Sequence, residues 1–369
     1  MKTLLYILAL STILFASSNI ANTASCKKCH PTISTEFETS MHKKSSIYED
    51  KVHKAIWDKH PAKAKNDYKC AKCHTPNATS ENKEHEGITC LSCHTIMDVE
   101  KHEKVNKNIY SKKEKTFYSA EKGRENEKVQ YKIVSTWWGE KTTVGSAYHD
   151  IDYTNENYYN GNMCMGCHSH KQNSKKFNVC TTDEAGAKNK KENCITCHMP
   201  KVGGSATTVR YSKKHAYHGF AGARVEPRML SKYIEFDLKK KAKGFEVTVD
   251  NKAPHDLMTH PLRVVQLKAT LIRDAKHTPL QTHTFIKVIG DSGKPTFPWL
   301  ATEVVKDSMI KAKEKRVVAF DKTLQSGDQV EIVLGFYVVN PKILKKLNLQ
   351  DDKELTKFTV LKSHYFNIK

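Results

Sequence analysis

Along the chain, apolar positions follow three different patterns. The N-terminus reads Met1-Lys2-Thr3 and is then apolar from Leu4 to Ala16, broken only by Ser11 and Thr12. Small and polar residues run from Ser17 to Ser25. A basic start, an apolar stretch of about a dozen residues and a small-residue tail predict a secretory signal peptide over 1–24. The stretch is short of the roughly 20 apolar residues that span a bilayer; an uncleaved N-terminal anchor is the alternative. Residues 25–225 have no long helical period and are rich in Lys, Asn, Ser and Thr. They cannot build an ordinary aliphatic core and predict short helices joined by loops. From about Glu226 alternation takes over: Tyr233 to Leu238, Phe245 to Val249, Leu262 to Ile272, Thr284 to Ile289, Val317 to Phe320, Gln329 to Val339 and Phe358 to Phe366. Period-two runs with turn residues between them predict an antiparallel β-sandwich over 226–369.

The polar middle is punctuated by one motif, Cys-x-x-Cys-His, five times. It occurs at Cys26, Cys29 and His30; at Cys70, Cys73 and His74; and at Cys90, Cys93 and His94. It returns at Cys164, Cys167 and His168, and at Cys194, Cys197 and His198. Two thiols one helical turn apart can each form a thioether with a porphyrin vinyl group, and the adjacent His supplies a ring nitrogen to the iron. A Cys-x-x-Cys pair alone could equally be a zinc or thioredoxin-like site. With 19 His in 369 residues, however, chance placement after all five pairs is roughly one in a million or less. The expectation is five covalent haem c groups, which would themselves form the core of a multihaem cytochrome c domain over 25–225.

Haem c is attached outside the cytoplasm, which agrees with the signal peptide and points to the periplasm. Ten of the eleven cysteines are committed to motifs, leaving Cys180, read as an inert or free thiol with a functional thiol as the alternative. The formal charge is +21, reduced by the propionates of any haems bound. It points to an acidic redox partner or to anionic substrates, the bland reading being that scattered Lys keeps the protein soluble. Nucleic acid is a poor partner for an exported haem protein. His42 lies twelve residues after His30, about 18 Å along a helix, so it cannot serve the same iron and is placed to reach a neighbouring one. His74 and Cys90 are 16 positions apart, so sites two and three should be neighbours. His53 and His60 read as surface or propionate contacts, and Trp137-Trp138 as haem packing or local core.

The segments Cys26 to His30 with Phe37 and Ser40-Met41-His42, His85-Glu-Gly-Ile-Thr-Cys90, and Cys197-His198-Met199-Pro200 resemble periplasmic multihaem cytochromes c. These are similar to the tetrahaem carrier that works beside hydroxylamine oxidoreductase in ammonia oxidisers. Related proteins carry a C-terminal β-domain with a loop that Asn251, Ala253, His255, Leu257 and Arg263 match. Thr259-His260 replaces the usual Thr-Gly, which makes His260 a rival to His255. The resemblance implies His42, His85, His149, His215 and His255 as distal ligands; His53, His60, His102, His170 and His218 are further rivals. It implies an electron carrier exchanging with an acidic redox protein or a membrane quinol-oxidising complex, itself not membrane-integral after signal cleavage. The alternative is a reductase or oxidase of a small nitrogen or sulfur compound at one open haem; a third reading is an assembly subunit. Pentahaem nitrite reductases use Cys-x-x-Cys-Lys at the catalytic haem, whereas all five motifs here end in His.

Overall fold

The computed structural model describes residues 23–78, 86–113, 115–182, 189 and 191–369. Nearly all of the expected signal peptide and His85 lie outside them. Among the described residues no helix is long and apolar enough to cross a membrane.

The C-terminal part is built from antiparallel sheets. One has three strands, in the order Ile234–Lys240, Phe245–Asn251, Lys315–Phe320. The other has seven, running from Lys294–Pro295 through His283–Asp291, Val264–Arg273 and Gln329–Tyr337 to Phe358–Asn367; Lys276–Pro279 and Glu303–Asp307 pair at its side. Side chains of a strand alternate between faces. Phe245, Val247 and Val249 therefore point one way from the small sheet, and Leu267, Ala269, Leu271, Val330, Ile332 and Leu334 from the large one. All nine belong to a single apolar cluster. Each such side chain is worth roughly 1.5–3 kcal/mol on burial. The three strands that the alternation did not predict, Lys276–Pro279, Lys294–Pro295 and Glu303–Asp307, are short and mostly exposed, and so carry no buried face to betray them.

The middle of the chain is organised differently. Four motifs form or end helices of four or five residues: Ala71–His74, Cys90–His94, Met165–His168 and Cys194–His198. Two of them begin with a capping box, in which Thr89 and Ser92, or Asn193 and Thr196, exchange side-chain-to-backbone bonds. Such caps offset the poor nucleation of so short a helix. The first motif begins in the last turn of the helix Thr23–Lys27, and Pro31 opens the next helix, Pro31–Thr39.

The connections are not plain loops. Two-stranded ladders join Ile96–Glu100 to Lys107–Tyr110, Lys132–Ser135 to Lys141–Val144, His170–Gln172 to Asn178–Thr181, and Lys201–Gly203 to Lys214–Ala216. Chain that surrounds a cavity must pair its backbone polar groups locally, and ladders do this without an aliphatic core.

The two parts are tied together. Val52, on the helix Lys51–Lys59, joins the C-terminal apolar cluster. Lys51 pairs with Asp352 at 2.7 Å, and the Asn173 amide donates to the Pro298 and Ala301 carbonyls.

Candidate haem cavity

The middle of the chain encloses a cavity of about 3150 Å³, lined by all ten motif cysteines and all five motif histidines. Shared among five motifs, that is 630 Å³ each, within the roughly 300–1,000 Å³ of pockets that hold drug-sized ligands. Cys180 does not line it. That thiol is exposed, on the strand Asn178–Thr181 opposite Lys171.

Thiol contacts define which motifs adjoin. Cys26 and Cys90 are within hydrogen-bonding reach, as are Cys73 and Cys167, and Cys164 and Cys194. Cys93 is close enough to both Cys164 and Cys167 to raise their pKa. Motif one therefore meets motif three, while motif four meets two, three and five. Motifs two and three, expected to be neighbours from their sequence separation, do not meet through their thiols. They are linked instead by the Ser92 hydroxyl, which donates to the Asn77 side chain at 2.6 Å.

Four of the five motif histidines share one arrangement. The Nδ1 of His30 lies 2.8 Å from the Ala206 carbonyl, that of His94 2.7 Å from Tyr118 O, and that of His198 2.6 Å from Ala221 O. His74 Nδ1 is 3.1 Å from Ser45 O. A carbonyl on Nδ1 fixes the proton there and leaves Nε2 as a free, more basic donor to a metal.

The second ring of each pair comes from elsewhere in the chain. Two imidazole nitrogens on opposite sides of one iron, each about 2.0 Å from it, hold their ring centroids about 6 Å apart. His30 and His149 are 6.2 Å apart, His94 and His218 6.3 Å, and His198 and His255 6.1 Å, with rings within 28° of parallel. His42 faces His168 at 5.9 Å with the rings crossed at 85°. Nδ1 of His218 meets Ala216 O and that of His255 meets Asp256 O. Burial pushes His42 and His218 down to about 3, so both rings are neutral near pH 7 and able to ligate a metal. His42 Nδ1 is buried without a hydrogen-bond partner. The thiols, the oriented Nε2 atoms and the gaps between rings fit covalently bound haem c.

His215, expected to face an iron, does not. Its Nδ1 contacts Gly204 O and its Nε2 contacts Glu36, both at 2.9 Å, so neither nitrogen is left for a metal. His218, three residues on, faces His94 instead. The strand Lys214–Ala216 turns His215 inward against Glu36, and the same carboxylate accepts the backbone N–H of His218. No local signal in the sequence separates the two, because Glu36 shares the helix Pro31–Thr39 with a second acid, Glu38.

His53 lies over His74 with centroids 4.0 Å apart, too close for an iron between them. Its nitrogens meet Ser45 O and the Tyr68 hydroxyl. His60 accepts from the Ala62 N–H and packs against Trp299; His102 accepts from the Lys104 N–H; and His170 contacts Glu103 O. None of these three lines the cavity.

Among the described residues, His74 therefore has no ring partner at iron-spanning distance. His260 lines the cavity near it, enclosed by protein but open to the cavity space. Burial, then the neighbouring Arg263 and Arg224 cations, push His260 down to about 4. Arg263 is itself lowered to about 10, by burial and then by Arg224.

Trp137 and Trp138, expected to pack in the core, are 84 % and 75 % exposed at the tip of the hairpin Lys132–Ser135/Lys141–Val144. The sequence spacing of Trp carries no information on which side of a hairpin tip they fall.

Residues 25–95 match the family model of cytochrome c554 and c-prime. The chain superposes on a penta-heme cytochrome c552 from Thermochromatium tepidum with a TM-score of 0.71 at 22 % identity, covering 94 % of this chain and 98 % of that one. An E. coli curli protein, CsgC, gives a TM-score of 0.17 at 10 % identity over 28 % of this chain and 82 % of its own, too low to argue from. No curated protein matches. The fold is that of a multihaem cytochrome c, with antiparallel sheets appended at the C-terminal end.

Proposed function

We propose that the chain is a periplasmic electron carrier that binds five haem c groups, one at each Cys-x-x-Cys-His. The observation that carries this is the set of four His pairs at 5.9–6.3 Å, with a motif His in each. Bound haem c supplies a one-electron iron couple. The cysteine pairs would tether it, and the motif His, its proton fixed on Nδ1 by a carbonyl in four of the five, would offer Nε2 to the iron. His149, His42, His218 and His255 would supply the second ring nitrogen at motifs one, four, three and five. Two such ligands would leave no open position and little to rearrange when an electron passes, which suits a carrier. The thiol contacts support a file of motifs one, three, four and five, with two beside four. His255 belongs to the C-terminal region, read as a β-sandwich, so that region completes a site it does not itself contain. An acidic redox protein or a membrane quinol-oxidising complex fits the basic charge as a partner.

A second reading rests on one observation: His74 lacks a ring partner among the described residues, and His260, Arg263 and Arg224 stand close by. Two guanidinium groups beside an open iron position would draw a small anion such as nitrite or a sulfur oxyanion. One experiment tests both readings. Haem content by pyridine haemochrome should give five per chain. Electronic and paramagnetic spectra should then show at least four low-spin, bis-His haems that ignore carbon monoxide and nitrite. If the fifth ignores them as well, the enzyme reading is lost; if several haems bind them, the carrier reading is.

A further inference from the structure

One part of the molecule stands mostly clear of the haem cavity, which only Thr143 and Val144 at its base reach. The hairpin Lys132–Ser135/Lys141–Val144 pairs with no other strand, and all eight of its strand residues are exposed. Its tip is nevertheless built: the Thr136 N–H bonds Glu140 O at 2.7 Å, the Gly139 N–H bonds Thr136 O at 3.0 Å, and Gly139 takes φ +84° to close the turn. That turn holds Trp137 and Trp138 side by side, with centroids 4.4 Å apart, facing solvent. Tyr131, Ile133 and Val134 are exposed below them, and none of these five side chains lines the cavity. A cluster of large apolar side chains on one protruding element is uncommon on a freely soluble surface and marks a contact.

The geometry indicates what kind. Ile133 and Val134 are successive strand residues and so point to opposite faces of the hairpin, opposite Thr143 and Thr142. A flat protein partner would cover one face and leave the other wet. A bilayer interface surrounds a protruding tip on every side. Trp and Tyr favour the headgroup level, where an apolar ring body and a polar N–H or O–H are both accommodated. Lys132 and Lys141 flank the tip, with Glu140 the one acid from Tyr131 to Val144, on a chain of formal charge +21. Both favour a surface of anionic lipid headgroups. We infer that the Trp137/Trp138 hairpin is a membrane-surface anchor that seats its tip in an anionic lipid interface without spanning it. Its second strand runs on through four residues to His149, the partner of His30. Seating the tip would therefore turn the motif-one end of the cavity toward the membrane.

The holo-protein should be sedimented with vesicles of phosphatidylcholine alone and with added phosphatidylglycerol. Binding is expected to the anionic vesicles and to weaken with salt. The double variant Trp137→Ser/Trp138→Ser should lower the partition coefficient at least roughly tenfold, while its haem spectra stay those of the parent protein, which shows that it has folded. Lys132→Glu/Lys141→Glu should lower binding to anionic vesicles and not to neutral ones. Equal binding by parent and double-Trp variant, or no binding to anionic vesicles, overturns the inference. So does a dimer in sedimentation velocity that the Trp variant abolishes, because the hairpin would then be covered by a second copy.

Discussion

The sheets after residue 226 and the motif region before it solve opposite problems. The sheets bury Phe245, Val247, Leu267, Ile332, Leu334 and Phe336 almost completely, and Phe245 stacks on Phe320 with centroids 4.9 Å apart. The motif region has a few buried large side chains scattered around its cavity, such as Phe37, Trp57, Tyr118, Tyr158 and Met165. Its interior is a ring of thiols and imidazoles. One region is stable because of its sequence; the other needs the groups its sequence is built to hold. A fold can thus be divided by what fills it as well as by where its chain turns.

The sharpest way to break this comparison is to remove a haem from the hub. Cys164→Ala/Cys167→Ala disrupts the motif that touches two, three and five. Residues 25–225 should then become sensitive to limited proteolysis while a fragment from about 226 to 369 persists, as read by mass spectrometry. Loss of both regions together would show that the sheets also depend on haem.

Within the sheets, Leu334→Ala removes a side chain with no exposure from the centre of the cluster. It should cost about 2–5 kcal/mol, lowering the thermal midpoint by circular dichroism with the haem spectra unchanged. A smaller effect is expected at Asp328, whose carboxylate accepts two bonds from Arg273, both 2.7 Å, and one from the Gln325 N–H. Arg273 holds Asp328 down at about 2. In the unfolded chain the carboxyl returns to about 3.9. A depressed folded value means that the stabilisation is full above the unfolded value and is lost as pH falls through the folded one. Asp328→Asn should cost about 1.5–3 kcal/mol near pH 7, and the gap from the parent protein should close between about pH 4 and pH 2, by denaturant titration. The least effect is expected across the junction: Lys51→Ala breaks an exposed ion pair with Asp352 and should change stability by about 0–1 kcal/mol.

What could be read from the sequence follows the same division. Alternation revealed the long strands because each has a buried face, and the five motifs stood out because one spacing of two Cys and a His recurs five times. The distal rings were harder. His42 and His255 lie in segments whose neighbours carry a pattern, but His215 and His218 differ only by which one Glu36 takes up, a contact between segments 179 positions apart. Spacing along a chain cannot report that. Nor could it report that His53 would pack against His74, or that two Trp would face solvent.

The His pairings have a consequence in time. They join 30 to 149, 42 to 168, 94 to 218 and 198 to 255. The first three loops overlap, and the fourth runs past the end of all of them. A chain emerging N-terminus first presents Cys26 and His30 long before His149 exists outside the membrane. The haems of motifs one, three and five would therefore wait with one face bare while His149, His218 and His255 are still being delivered, whereas motif four would find His42 already there. Closure of so long a loop is an entropic cost met late. On that reading the site of motif five, closed by His255, would be the last to be sealed, and the C-terminal sheets would set the moment at which the whole assembly becomes rigid.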